Sequence, residues 1–170
     1  ENNSIQKAYM GVYSIAFVAA GNGSGLNISS NDLTTTGVNA IRYVGIYVQG
    51  VDGATVQNNT IANFDGLSSE DDKGIWFATG TRNSNITQNR IFNLNYAGTT
   101  GYGTHGIFVS TGTAAANVQV SNNMIANLSG DGWNDNYIIY KTFSQFNTIL
   151  KNLHTNMFSL YIIKKKNHFP

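Results

Sequence analysis

The chain has 170 residues, of which 11% are charged, with 18 glycines, no cysteine and a single proline at its last position. This is the length of one domain, and the missing cysteines exclude a disulfide framework and a thiolate metal site. A net charge of +1 hides a split: residues 1–136 hold all nine acids against five bases, whereas residues 137–170 hold five lysines and no acid.

In chain order, NNSI at the start reads as the tail of a unit, and SIAFVAAGNGSGLNISSNDL from Ser14 is a weak full copy. Strong copies follow: GIYVQGVDGATVQNNTIANF from Gly45, GIWFATGTRNSNITQNRIFNL from Gly74 and GIFVSTGTAAANVQVSNNMIANL from Gly106. Each is a short alternating strand, a Gly-rich turn, a second short strand, an amide pair and an aliphatic residue. Asn3, Asn31, Asn59, Asn89 and Asn123 each lie two residues before Ile5, Leu33, Ile61, Ile91 and Ile125, at spacings of 28, 28, 30 and 34. A period of this size that tolerates insertions is the mark of a solenoid, in which one coil buries its apolar face only against its neighbours. The segments are β-branched, period-two and bounded by Gly and Asn, so the coils are built from strands.

Alternation assigns the faces. On the first strand Ile46 and Val48, Ile75 and Phe77, and Ile107 and Val109 point in, while Tyr47, Trp76 and Phe108 point out with Gln49, Ala78 and Ser110. Leu26, Ile28, Val56, Ile86, Val118 and Val120 face the core from the second strand, and Ile61, Ile91 and Ile125 from the third. Asn at the turn tolerates left-handed backbone and carries both donor and acceptor, so Asn31, Asn59, Asn89 and Asn123 are expected to stack in one hydrogen-bonded column. Asn63, Asn93 and Asn127 predict a second polar column.

On these repeats and the asparagine column, the chain resembles right-handed parallel β-helices of the pectate-lyase-like class, over about four-fifths of its length. The resemblance implies an all-β solenoid of about four coils over 1–136. It implies a secreted or cell-surface protein of bacterial type, of which this is a fragment that continues into further coils. It also implies polysaccharide as partner, in a lyase or glycoside hydrolase or beside one. A structural stalk or adhesin segment without catalysis is the alternative. Nucleic acid is not an expected partner, and no apolar run is long enough for a membrane span.

Three groups of residues are candidates for function. Tyr47, Trp76 and Phe108 form an outward aromatic column suited to stacking on sugar faces, with Tyr96, Tyr102 and Trp133 in flanking loops. Glu70 and Asp71 border that column, and with Asp72 they suit Ca²⁺ through oxygen ligands or a solvated acidic loop. Asp72 and His105 are the catalytic candidates, because a DD followed one coil later by HG is similar to part of the polygalacturonase-like pattern. By register His105 falls over Lys73. The Asn-Thr-Asp and Arg-Ile-Lys motifs of that pattern are absent.

Residues 137–170 follow another rule. Phe143, Phe146, Leu150, Leu153, Met157 and Leu160 recur at helical spacing. A capping helix, a basic surface-binding helix carrying Lys164–Lys166, and a foreign or truncated end are the open readings.

Overall fold

The computed structural model describes residues 1–67, 69–112 and 115–131, together with the backbone of two strands at 137–141 and 150–151. Four coils of three strands each follow one another. The first holds β1 (Met10–Ile15), β2 (Asn27–Ser29) and β3 (Asp32–Leu33), and the second β4 (Val44–Gln49), β5 (Thr55–Gln57) and β6 (Thr60–Gly66). The third holds β7 (Asp72–Phe77), β8 (Asn85–Thr87) and β9 (Arg90–Tyr96), and the fourth β10 (Thr104–Val109), β11 (Gln119–Ser121) and β12 (Met124–Ser129). Like strands of successive coils pair in parallel, giving three sheets that run the length of the stack. The fold is a parallel β-solenoid with one helical turn among the described residues, a 3₁₀ segment at Gly37–Asn39.

The repeat register is the structural register. Ile46 lies against Ile75 and Ile75 against Ile107; Val56 lies against Ile86 and Ile86 against Val120; Ile61 lies against Ile91 and Ile91 against Ile125. These columns, with Leu33, Phe64, Phe77 and Leu94, form one core running through the stack. The coil-opening glycines are fixed by close approach. A Cβ on Gly45 would stand 2.5 Å from the Gly74 carbonyl oxygen, and one on Gly74 would stand 2.6 Å from that of Gly106. The first coil also obeys this rule, but it is displaced from its expected start at Ser14. Gly11 takes the glycine position and Val12 pairs with Ile46, because the loop from Ala16 to Gly25 absorbs a length difference that blurs the alignment.

The inner asparagine column is continuous. The backbone N and Nδ2 of Asn31 donate to Asn59 Oδ1 at 3.0 and 2.9 Å, those of Asn59 to Asn89 Oδ1 at 3.0 Å each, and those of Asn89 to Asn123 Oδ1 at 3.0 Å each. Asn3 joins above, donating to Asn31 Oδ1 at 3.1 and 3.0 Å. One expectation is corrected here: the left-handed backbone belongs to the preceding residue, at Ser30, Asn58, Gln88 and Asn122, and not to the column asparagines. Asparagine is therefore required there for its side-chain amide. The second column, Asn63, Asn93 and Asn127, does carry positive φ values of 65, 54 and 56°. Its amides run the other way, Asn93 Nδ2 donating to Asn63 Oδ1 at 3.2 Å and Asn127 Nδ2 to Asn93 Oδ1 at 2.8 Å.

Beyond Asn136, β13 (Tyr137–Lys141) pairs with β10, and β14 (Leu150–Lys151) pairs with β11. Leu150, expected on a helix face, is thus in a strand. The other positions of that helical reading, Phe143, Phe146, Leu153, Met157 and Leu160, lie outside the described residues.

Candidate functional site

The outer face of the first sheet carries an unbroken aromatic column. Tyr13 pairs with Tyr47, Tyr47 with Trp76 and Trp76 with Phe108, one aromatic per coil. At the strand spacing of a sheet, the four rings from Tyr13 to Phe108 span about 14 Å along the axis. They are not coplanar. Tyr13 stacks on Tyr47 at 5.1 Å between centroids, but Tyr47 meets Trp76 edge to face at 4.9 Å, as Trp76 meets Phe108 at 5.5 Å. Trp76 and Phe108 are half-buried and Tyr47 is only 9% exposed, so the flat continuous platform expected from the sequence is a packed strip. Its open part is the first coil, where Tyr9 and Tyr13 are 56% and 59% exposed and Tyr9 stacks on Tyr43 at 4.9 Å.

The ring edges are hydrogen-bonded inside the protein. Tyr47 donates its hydroxyl to the Gln49 amide, Tyr43 donates to the Glu70 carboxylate, and Trp76 Nε1 donates to Ser110 Oγ at 2.8 Å. Burial, reinforced by the Glu70 contact, raises the Tyr43 hydroxyl well above the usual phenol range. Burial also raises that of Tyr47.

Beneath the strip lies a caged cation. Lys73, buried, places Nζ 5.0, 4.9 and 5.4 Å from the ring centroids of Tyr43, Trp76 and Phe108 and donates to the Asp71 carbonyl. The ring faces offset part of the cost of removing an ammonium from water. Burial still pushes its pKa down, against the pull of Asp71, Glu70 and Asp72. His105 pairs with Lys73 in register, as the repeat predicts, and packs 5.1 Å from Phe108. Burial lowers the imidazole to about 4; Lys73 adds to this, and Asp71, whose Oδ2 lies 4.0 Å from Nδ1, works against it. At neutral pH the ring is uncharged.

The three acids adjacent in sequence turn to different partners. Glu70 is exposed and turned to Tyr43, and Asp71 accepts from the Gly103 backbone N at 2.9 Å and faces His105. Asp72 opens β7, is fully buried, and packs its carboxylate against Gly66 at the corner between the third and first sheets. Among the described residues no three His, Asp or Glu side chains gather as a metal site, so this donor set does not fit the Ca²⁺ expected of it. The candidate catalytic pair is likewise enclosed: Asp72 has no exposed surface, His105 is 3% exposed, and the carboxylate beside His105 is Asp71. The arginines that a lyase-type base would need are not beside these acids: Arg82 lies in a turn whose backbone bridges to Asp52, and Arg90 lies over Phe92 on the third sheet. Tyr96, expected in a loop, is the buried last residue of β9 and stands edge to face with Tyr102, while Trp133 lies outside the described residues.

The sequence reading missed Tyr9, Tyr13, Tyr43 and the caging of Lys73. A signal was present: YMGVY from Tyr9 and YVGIY from Tyr43 place the same Tyr-x-Gly-aliphatic-Tyr pattern in successive coils. Among the described residues no helix is long and apolar enough to cross a membrane.

No family model, curated protein or solved structure matches this chain.

Proposed function

We propose that this domain is a polysaccharide-binding β-solenoid of a secreted or cell-surface protein, holding the polymer along the outer face of its first sheet. The observation that carries this is the aromatic column, a line of rings along one sheet face in which Tyr9 and Tyr13 are each backed by a stacked ring. A ring held in place by a second ring loses little freedom when a sugar face covers it, which favours binding. The enclosure of Asp72 and His105 favours binding over lyase or hydrolase chemistry by these residues.

Affinity electrophoresis through gels containing soluble glycans tests the proposal. Tyr13→Ala should weaken retardation by about tenfold, the loss of one stacked ring being worth about 1–1.5 kcal/mol. Its melting temperature should stay within a few degrees, as for most surface substitutions. Unchanged retardation would overturn the assignment. The second reading, a structural stalk, is favoured by the internal hydrogen bonds of the ring edges and by the packing of Tyr43, Val44, Tyr47 and Ala78 as a cluster of their own. In that case Trp76→Ala lowers the melting temperature strongly and no glycan is retained.

A further inference from the structure

We infer that the segment from Ala16 to Gly25 is a clasp that ties the first coil directly to the third, so that coils one to three open as one unit. The inference stands apart from the glycan-binding reading above.

Stacked repeats ordinarily touch only their neighbours, so a coil can open without disturbing the one beyond the next. Here the exception begins at one residue. After the first strand, Gly50, Gly80 and Gly112 take φ values of 71, 79 and 65° and lie in one column. Gly50 N donates to the Thr79 carbonyl at 2.9 Å and Gly80 N to that of Thr111 at 2.7 Å. Glycine adopts this left-handed turn without strain. In the first coil the position is Ala16, whose N donates to the Gln49 carbonyl at 2.9 Å and whose backbone is not left-handed. The chain there runs across the stack instead. A Cβ on Gly50 would collide with the Ala16 carbonyl, and one on Gly80 with the Val18 side chain. One on Gly112 would meet nothing within 4 Å among the described residues. Gly50 and Gly80 are accordingly buried, while Gly112 is exposed. Val18 thus passes the second coil and packs on the third.

The returning half of the loop is pinned by Asp52 of the second coil. Its Oδ2 accepts from Gly21 N at 2.8 Å, and its Oδ1 accepts from Asn83 Nδ2 of the third coil at 2.8 Å. Its own N donates to the Asn22 carbonyl at 2.8 Å, and Asn22 Nδ2 closes the loop by donating to the Phe17 carbonyl at 2.9 Å. One carboxylate therefore holds the first and third coils together. Freeing the first coil means lifting Val18 from Gly80 and breaking the Asp52 bonds as well as separating the sheets. Phe17, between these anchors, is 83% exposed and takes no part.

Native-state hydrogen exchange on the full chain tests the clasp. In the wild type the amides of β1 and β2 should exchange through the same opening as those of β4, β5, β7 and β8. Val18→Ser should speed exchange in β1 and β2 by about tenfold, the scale of one lost half-buried aliphatic contact, and leave β7 and β8 unchanged. Phe17→Ser, on the same loop but off the glycine column, should change neither. Gly80→Ala and Gly112→Ala impose the same left-handed strain, so only Gly80→Ala should also release β1 and β2. If wild-type β1 and β2 exchange through a separate, easier opening, or if Val18→Ser leaves them unchanged, the first coil opens alone and the inference is overturned. Equal effects of Val18→Ser and Phe17→Ser, or of Gly80→Ala and Gly112→Ala, would overturn it too.

Discussion

Replacing Asn89 by alanine separates the two asparagine columns. The Asn89 Oδ1 is the acceptor for the backbone N–H and the Nδ2 of Asn59, which is fully buried. The amide Nδ2 shares its hydrogens among Asn123 Oδ1 at 3.0 Å, the Val56 carbonyl at 3.0 Å and the Thr87 carbonyl at 3.1 Å. Truncation leaves the Asn59 side chain with its bonds to the Ile28 and Gln57 carbonyls, but it takes away the partner of the Asn59 N–H. An orphaned buried donor costs about 1–3 kcal/mol, and the lost carbonyl contacts bring the total to roughly 2–4 kcal/mol. Asn93→Gly is the companion variant. Asn93 lies on the exposed column at a φ of 54°, which glycine adopts without strain, so losing two exposed amide contacts should cost under about 1 kcal/mol. Urea titration followed by circular dichroism gives both values, compared at unchanged slope. Equal losses, or a larger loss for Asn93→Gly, would refute the assignment of structural weight to the inner column.

Two further outcomes follow from the core and the caged cation. Ile91→Ala, at a fully buried position stacked between Ile61 and Ile125, should cost about 2–5 kcal/mol, whereas Met124→Ala, at an exposed residue one strand away, should cost little. Similar urea midpoints for the pair would sink the inward assignment. For His105, the folded chain holds the imidazole neutral down to about 4 while the unfolded chain takes up its proton near 6.5. Between these values the unfolded state binds more protons, so stability is full above about pH 6.5 and falls as the pH drops toward 4, by roughly 3 kcal/mol in all. His105→Gln should flatten this part of the profile; an unaltered slope would show that other groups cause it.

How much of this was legible in the sequence depended on whether side-chain position followed from strand alternation. Ile46, Ile75 and Ile107 could be placed inward because period-two alternation leaves one answer once a glycine marks the coil start. The same counting set His105 over Lys73. The acids failed because the chain bends at a corner there: Glu70 and Asp71 end a loop while Asp72 begins a strand, and adjacent carboxylates leave in different directions. The ring geometry failed for another reason. Alternation says that Tyr47, Trp76 and Phe108 share a face, but rings of unlike size, one caged lysine and a tyrosine from before the glycine decide that they meet edge to face. The first coil was misplaced because the long loop from Ala16 to Gly25 blurs the alignment, although YMGVY around Gly11 already carries the coil-opening pattern.

The two asparagine columns give the solenoid a direction. In the inner column each amide hands its hydrogens to the next coil and receives on its oxygen from the one before, so donation runs from Asn3 through Asn31, Asn59 and Asn89 to Asn123. The outer column transfers its hydrogens the opposite way. The two ends of the stack are therefore chemically unlike, as the ends of a filament with plus and minus poles are. A stack slipped out of register would take the buried amides of Asn59 and Asn89 away from their partners, so the column also holds the coils to one register.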